Sequence, residues 1–212
     1  MSRMFAMLVL CAVSSSVALA DEFASQAKPL FDGKSTKGWE GNEKWFRVQN
    51  ECVVAGSLKE KIPHNEFLCT KKQYGDFELR LEAKLVGEGN NAGIQFRSKR
   101  VADSTEVSGY QADCGEAWKR PVWGSLYDES RRRKMLAEPE AESTRKIVKT
   151  GDWNQMRIVC KADRIQIFLN GKKTVDYVEK DDKIPRAGVI GLQIHSGKPT
   201  EAWYRNIQIM EL

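Results

Sequence analysis

From Phe77 to Leu85 the chain alternates without a break: Phe77, Leu79, Leu81, Ala83 and Leu85 are apolar, and Glu78, Arg80, Glu82 and Lys84 between them are charged. On a helix that order would spread apolar groups around the whole cylinder, whereas on a strand it sorts them onto opposite faces. The same period of two recurs where Ile94, Phe96 and Ser98 alternate with Gly93, Gln95 and Arg97, and where Met156, Ile158 and Cys160 alternate with Gln155, Arg157 and Val159. It returns in Ile165, Ile167 and Leu169, in Ile190, Leu192 and Ile194 against Gly191, Gln193 and His195, and in Ile207 and Ile209. Turn signals separate these runs, and Asn170-Gly171 is the strongest, because both residues tolerate the positive φ of a type I′ hairpin. The one helical candidate, around Glu138 to Lys146, is weakened by Pro139. Many strands at short intervals, no βαβ rhythm and no repeat predict an all-β chain of two packed antiparallel sheets.

The 212 residues suffice for one substantial core, and no linker divides them. The first twenty read as a secretory leader: Arg3 gives a positive start, Met4 to Val13 an apolar stretch too short to span a bilayer, and Ala18-Leu19-Ala20 a cleavage site. The expected organisation is leader 1–20, a short segment 21–27, and one sandwich domain 28–212. Export would place the protein in a periplasm or outside the cell, with no membrane span. The net charge of +5 is dispersed, without the basic face and module of a nucleic-acid binder. Cys52, Cys69, Cys114 and Cys160 lack the CxxC spacing of a zinc site. Buried free thiols and one disulfide stand as equal readings, with Cys52 and Cys69, on successive strand candidates, the best pair for a bridge.

Function should lie on the polar sides of the strands. Gln95 and Arg97, Gln111 and Asp113, and Gln193 and His195 are spaced two apart, with Ser125 and Tyr127 a weaker pair. Amides, one Arg, one Asp and one of only two His differ from the Lys/Glu filler at Glu78 to Lys84, although any antiparallel sandwich has a solvated face. His195 has a plainer reading, a sheet histidine bonded to a loop carbonyl; His64 reads as a solvated loop residue. Among six tryptophans, Trp39, Trp45, Trp153 and Trp203 read as core or sheet-edge residues. Trp118 and Trp123, in a polar stretch interrupted by Pro121, read as the rim of a cleft where a sugar ring could stack.

The run Leu30-Phe31-Asp32-Gly33-Lys34 with Gly38-Trp39 resembles the opening of the 3-keto-disaccharide hydrolase domain family. The resemblance continues through Tyr74-Gly75-Asp76-Phe77, Asn91-Ala92-Gly93-Ile94-Gln95-Phe96-Arg97, Gly109-Tyr110-Gln111, Gly124-Ser125-Leu126-Tyr127, Gly151-Asp152-Trp153-Asn154, Leu169-Asn170-Gly171, Gly191-Leu192-Gln193-Ile194-His195 and Tyr204-Arg205-Asn206-Ile207. It implies a concanavalin A-like jelly roll and cleavage of glycosides oxidised to a ketone at carbon 3. Two positions depart from the family's usual pattern, Ala92 in place of Ser and Gln111 in place of Glu.

The ketone acidifies the hydrogen on carbon 2, a base removes it, and the group on carbon 1 leaves; such a site needs a base and a donor for the forming oxyanion. For the chemistry that the resemblance implies, His195 fits the base, with Asp113 either orienting it or serving as the base itself, and Arg97 would hold the enolate oxygen or the sugar hydroxyls. Gln95, Gln111, Tyr127 and Gln193, with Trp118 and Trp123, are assigned to the sugar. A divalent metal on Asp113 and His195 would also suit enolate chemistry, but two ligands are too few to assign one. The alternative is a non-catalytic, lectin-like carbohydrate-binding module. Oligomeric state, linkage and anomer stay open.

Overall fold

The structure, a computed structural model, describes residues 22–212; the expected leader lies outside them. After a helical turn over 22–26 the strands follow in order. They are β1 (Lys28–Pro29), β2 (Trp39–Glu40), β3 (Phe46–Gln49), β4 (Cys52–Ser57), β5 (Glu66–Thr70), β6 (Phe77–Gly87), β7 (Asn91–Arg100) and β8 (Val107–Ala117). Then come β9 (Arg120–Pro121), β10 (Leu126–Glu129), β11 (Lys134–Ala137), helix α1 (Ala141–Ile147), β12 (Asn154–Lys161), β13 (Arg164–Leu169), β14 (Lys172–Val178), β15 (Val189–Ile194) and β16 (Thr200–Glu211).

They form two antiparallel sheets. The first runs β14-β13-β12-β6-β16-β4-β3 with β1 beside β16, and the second runs β11-β10-β8-β7-β15-β5-β2 with β9 beside β8. The alternation read in the sequence sets which side faces the core: Phe77, Leu79, Leu81, Ala83 and Leu85 of the first sheet are buried with Ile94, Phe96, Ala112, Leu192 and Ile194 of the second. Asn170 and Gly171 close β13 onto β14 with φ of 48° and 81°, the predicted turn. The helix begins three residues later than its candidate stretch, past Pro139, with Glu140 as its cap accepting from the N–H groups of Glu142 and Ser143.

One of the two cysteine readings fails. Cys52 and Cys69 lie on strands that follow one another in sequence but belong to different sheets, because the chain crosses the sandwich between them. All four described cysteines are free and buried, so the bridge is absent and the buried-thiol reading holds. Trp123 is 5% exposed and packs in the core, and it also lines the cavity at the sandwich end together with Glu116, Pro121 and Arg145.

Candidate functional site

The outward face of the second sheet carries most of the nominated residues. Strand register places them in two adjacent rows. One row runs Phe67, Gln193, Gly93, Asp113 across β5, β15, β7 and β8, and Ser125 extends it through the Asp113 N–H bond to its carbonyl. The next runs Cys69, Gly191, Gln95, Gln111, Tyr127. A side chain at Gly93 would collide with Gln111, its Cβ 2.4 Å from the amide carbon, so the missing side chain is what lets Gln111 lie over the sheet.

The polar groups of these rows are buried. Gln95, Gln111 and Gln193 are at most 2% exposed, Asp113 5% and Ser125 1%. The tip of the β7–β8 hairpin turns onto the β5 side of the face: Val107 packs with Phe67, Cys69 and Val189, and Arg100 donates to the Phe67 carbonyl. Glu106, at the end of the same hairpin loop, accepts from Asn65 and from the Ser130 hydroxyl.

The buried amides make a directed chain. Ser98 Oγ donates to Gln95 Oε1 at 2.8 Å, Gln95 Nε2 to Gln111 Oε1 at 2.8 Å, and Gln111 Nε2 to Asp113 Oδ1 at 2.7 Å. Burial pushes the Asp113 carboxyl up to about 8; the Gln111 amide pulls the other way, and the nearby Glu129 adds to the rise. Three buried side-chain atoms beside this carboxyl have no hydrogen-bond partner: Ser125 Oγ, and both Nε2 and Oε1 of Gln193. Among the described residues the only other such atom is Arg131 Nη2. An unpaired buried polar group costs about 1–3 kcal/mol, so a row that gathers three of the four is where the fold carries the largest unmet hydrogen-bonding demand.

Arg97 leaves this face. It has φ of 45°, and the β7–β8 register shifts between Phe96 and Lys99, a bulge that reverses the alternation. Ser98 therefore joins Gln95 on the outward side. The fully buried Arg97 side chain instead donates to the Gly75 and Ala162 carbonyls at 2.9 and 2.8 Å and pairs with Asp76 at 2.8 Å. It ties the second sheet to the β12–β13 turn and is a structural residue, not an oxyanion holder.

His195, just past β15, keeps the outward parity of Gln193, and its N–H donates to Asn91. Its Nδ1 lies 2.7 Å from the Ser196 carbonyl. A carbonyl only accepts, so in the neutral ring Nδ1 carries the hydrogen and Nε2 keeps its lone pair. The plain reading of a histidine bonded to a loop carbonyl thus describes one ring nitrogen and leaves the other available. His64 is exposed in its loop, as expected.

Glu129, outward on β10 beyond Tyr127, escaped the sequence reading although it continues the period of Ser125 and Tyr127. Burial raises its pKa, the neighbouring Glu106 raises it further, and His195 opposes the rise. Glu106 left no sequence signal, since it depends on the hairpin folding back. At the edge, Trp118 is 65% exposed. It and Lys119 form the β8–β9 turn with φ of 49° and 63°, a conformation bulky residues rarely adopt. The Trp118 ring stands 6.1 Å from that of Tyr127, an open aromatic surface of the kind a sugar ring stacks on.

Among the described residues no three or more His, Cys, Asp or Glu side chains gather so as to hold a metal ion. Asp113 and His195 alone do not make a ligand sphere. No helix of the described residues is long and apolar enough to cross a membrane.

Among solved structures, a candidate glycosyl hydrolase from Parabacteroides distasonis ATCC 8503 superposes with a TM-score of 0.66 at 17% identity, covering 91% of this chain and 96% of that one. The carbohydrate-binding module CBM66 from Bacillus subtilis gives 0.58 at 14% identity over 82% and 96%. The exoplasmic/lumenal domain of VIP36, in a form bound to Ca2+ and Man3GlcNAc, gives 0.62 at 10% over 88% of each chain. At these identities the likeness establishes the fold, the jelly-roll sandwich of concanavalin A-like lectins. No curated protein matches the chain. The family model of the 3-keto-alpha-glucoside-1,2-lyase-like domain matches residues 26–210, and over that nearly complete span this chain belongs to the 3-keto-alpha-glucoside-1,2-lyase-like domain family.

Proposed function

We propose that the protein binds a carbohydrate on the outward face of the second sheet, with the sugar hydroxyls meeting Asp113, Gln193 and Ser125 and one ring face meeting Trp118. The carrying observation is the row of unpartnered buried polar atoms on either side of Asp113. A sugar offers what that row lacks, closely spaced hydroxyls that each donate and accept, together with an apolar face for an aromatic rim. The solved relatives that include a carbohydrate-binding module and a glycan-bound lectin domain agree with this reading. The chain is read as one domain from residue 28 onward, exported on the leader pattern of residues 1–20.

A second reading is favoured by the family and by the Asp113 carboxyl, whose pKa of about 8 suits a group that exchanges a proton near neutral pH. On a 3-keto-glycoside, Asp113 or His195 Nε2 would take the hydrogen from carbon 2. The enolate would then expel the group on carbon 1. With Arg97 committed elsewhere, donors to the enolate oxygen come from Gln193 Nε2, the Ser125 hydroxyl or the Tyr127 hydroxyl. Isothermal titration with a sugar panel, run beside release from a chromogenic 3-keto-glucoside, separates the two. Binding without release supports the module, and release lost in Asp113→Asn supports the lyase. Neither binding nor release overturns both.

A further inference from the structure

The amide chain beneath Asp113 is symmetric in a way its role as a simple support does not require. Ser98 has one hydroxyl hydrogen but two acceptors at the same distance, Gln95 Oε1 and the Phe96 carbonyl, each at 2.8 Å. With Asp113 ionised, every orientation is fixed from that end. The carboxylate requires the Gln111 NH2, which turns Gln111 Oε1 toward the Gln95 NH2, which turns Gln95 Oε1 toward the Ser98 hydroxyl.

Each link can reverse with only the amide nitrogen and oxygen exchanging places. If a proton from solvent or ligand settles on Asp113 Oδ1, that O–H donates to the oxygen of a turned Gln111. The Gln111 NH2 then donates to the oxygen of a turned Gln95, and the Gln95 NH2 donates to Ser98 Oγ. The Ser98 hydrogen moves to the Phe96 carbonyl. One O–H bond forms on Oδ1, both amides rotate by about 180° about their terminal torsions, and every polar atom of the chain keeps a partner.

We propose that Ser98, Gln95 and Gln111 are positioning residues that form a reversible hydrogen-bond relay, turning over as Asp113 gains or loses a proton and keeping Asp113 Oδ2 an acceptor toward the ligand in both states. This rests on the reading that the ligand meets Asp113, and it changes the part assigned to Gln95 and Gln111 from holding sugar to orienting the carboxyl. The relay is buried, so a mismatched amide in either state would leave unpaired groups at about 1–3 kcal/mol each, which couples the links. Other titratable groups near Asp113 are Glu129 and Tyr127 on β10 and Cys114 on its own strand, with Glu106 and His195 reaching it only through Glu129.

The test is a titration of the mature protein without sugar, so that its failure and the failure of sugar binding are separate results. The side-chain amide resonances of Gln95 and Gln111 and the carboxyl carbon of Asp113 are followed by NMR from about pH 5 to about pH 10. The relay predicts one shared midpoint for all three. It predicts loss of pH dependence at both amides in the isosteric Asp113→Asn. In Ser98→Ala, which removes the far end, the Asp113 midpoint should move by about half a unit or more. A Gln111 amide that titrates while Gln95 stays flat would overturn the proposal, as would an Asp113 midpoint unmoved by Ser98→Ala. Amide titration that persists in Asp113→Asn would assign the effect to Glu129 or His195 instead.

Discussion

Replacing Asp113 by Asn should stabilise the protein, and by an amount that depends on pH in a specified direction. Asn keeps the shape and the acceptor for Gln111 Nε2 but cannot ionise. In the folded chain the Asp113 carboxyl titrates at about 8, against a reference of 3.8. A group whose folded pKa is raised stabilises the fold while protonated, and that contribution fades as pH rises from the unfolded value through the folded one. The gap of about four units corresponds to a ceiling of roughly 5–6 kcal/mol at about 1.36 kcal/mol per unit. Water entry and relaxation around a buried carboxylate reduce this to about 2–4 kcal/mol, or a Tm difference on the order of 10 °C for a chain of this size. Thermal unfolding of both proteins from about pH 4 to about pH 9.5 provides the assay. The variant should match the wild type near pH 4, gain on it steadily up to about pH 8, and hold a constant lead above that. A difference that is flat with pH, or a variant less stable at every pH, would show that Asp113 sits comfortably ionised and would refute the argument.

Gln193→Leu removes two unpartnered atoms at nearly constant volume; it should raise stability by about 1–3 kcal/mol in chemical denaturation while weakening sugar binding about tenfold or more in calorimetry. Trp118→Ala, at an exposed turn, should leave stability within about 0.5 kcal/mol yet cost roughly tenfold in sugar affinity, measured by the same two assays. Arg97→Met should behave in the opposite way to a binding-site change, losing about 3–5 kcal/mol of stability because the Gly75 and Ala162 carbonyls lose their donor and Asp76 its partner. Reducing agent should leave Tm unchanged, since the described cysteines form no bridge.

The sheets were legible in the sequence because alternation is a direct consequence of strand geometry, and Phe77 to Leu85 states it without ambiguity. The same rule placed Gln95, Gln111, Asp113 and Gln193 on one face. It failed at Arg97, where a positive φ on a residue that is not glycine inserts a bulge and exchanges the sides of Arg97 and Ser98. No local sequence signal marks such a bulge. It failed again at Cys52 and Cys69, because adjacency in sequence does not say whether the chain turns within a sheet or crosses to the other. The polar residues around Trp123 suggest a loop surface, whereas its ring packs in the core while also lining the cavity at the sandwich end. Glu129 was within reach of the period-two rule applied one step further along β10. Glu106 and the hairpin tip were not, since their position depends on contacts between Val107 and residues far away in the chain.

The central claim is that the row through Ser125, Asp113 and Gln193 is where a carbohydrate binds. Its most direct measurement is amide chemical-shift mapping of the labelled protein titrated with the sugar that binds most tightly from the panel. The account predicts that the largest changes fall on Gln193, Asp113, Ser125 and the Trp118 indole, with the side-chain amides of Gln193 among the strongest. Changes confined to the outer face of the first sheet around Arg80, Arg157 and Phe168, or to the cavity at the sandwich end between Glu116 and Arg145, would contradict it.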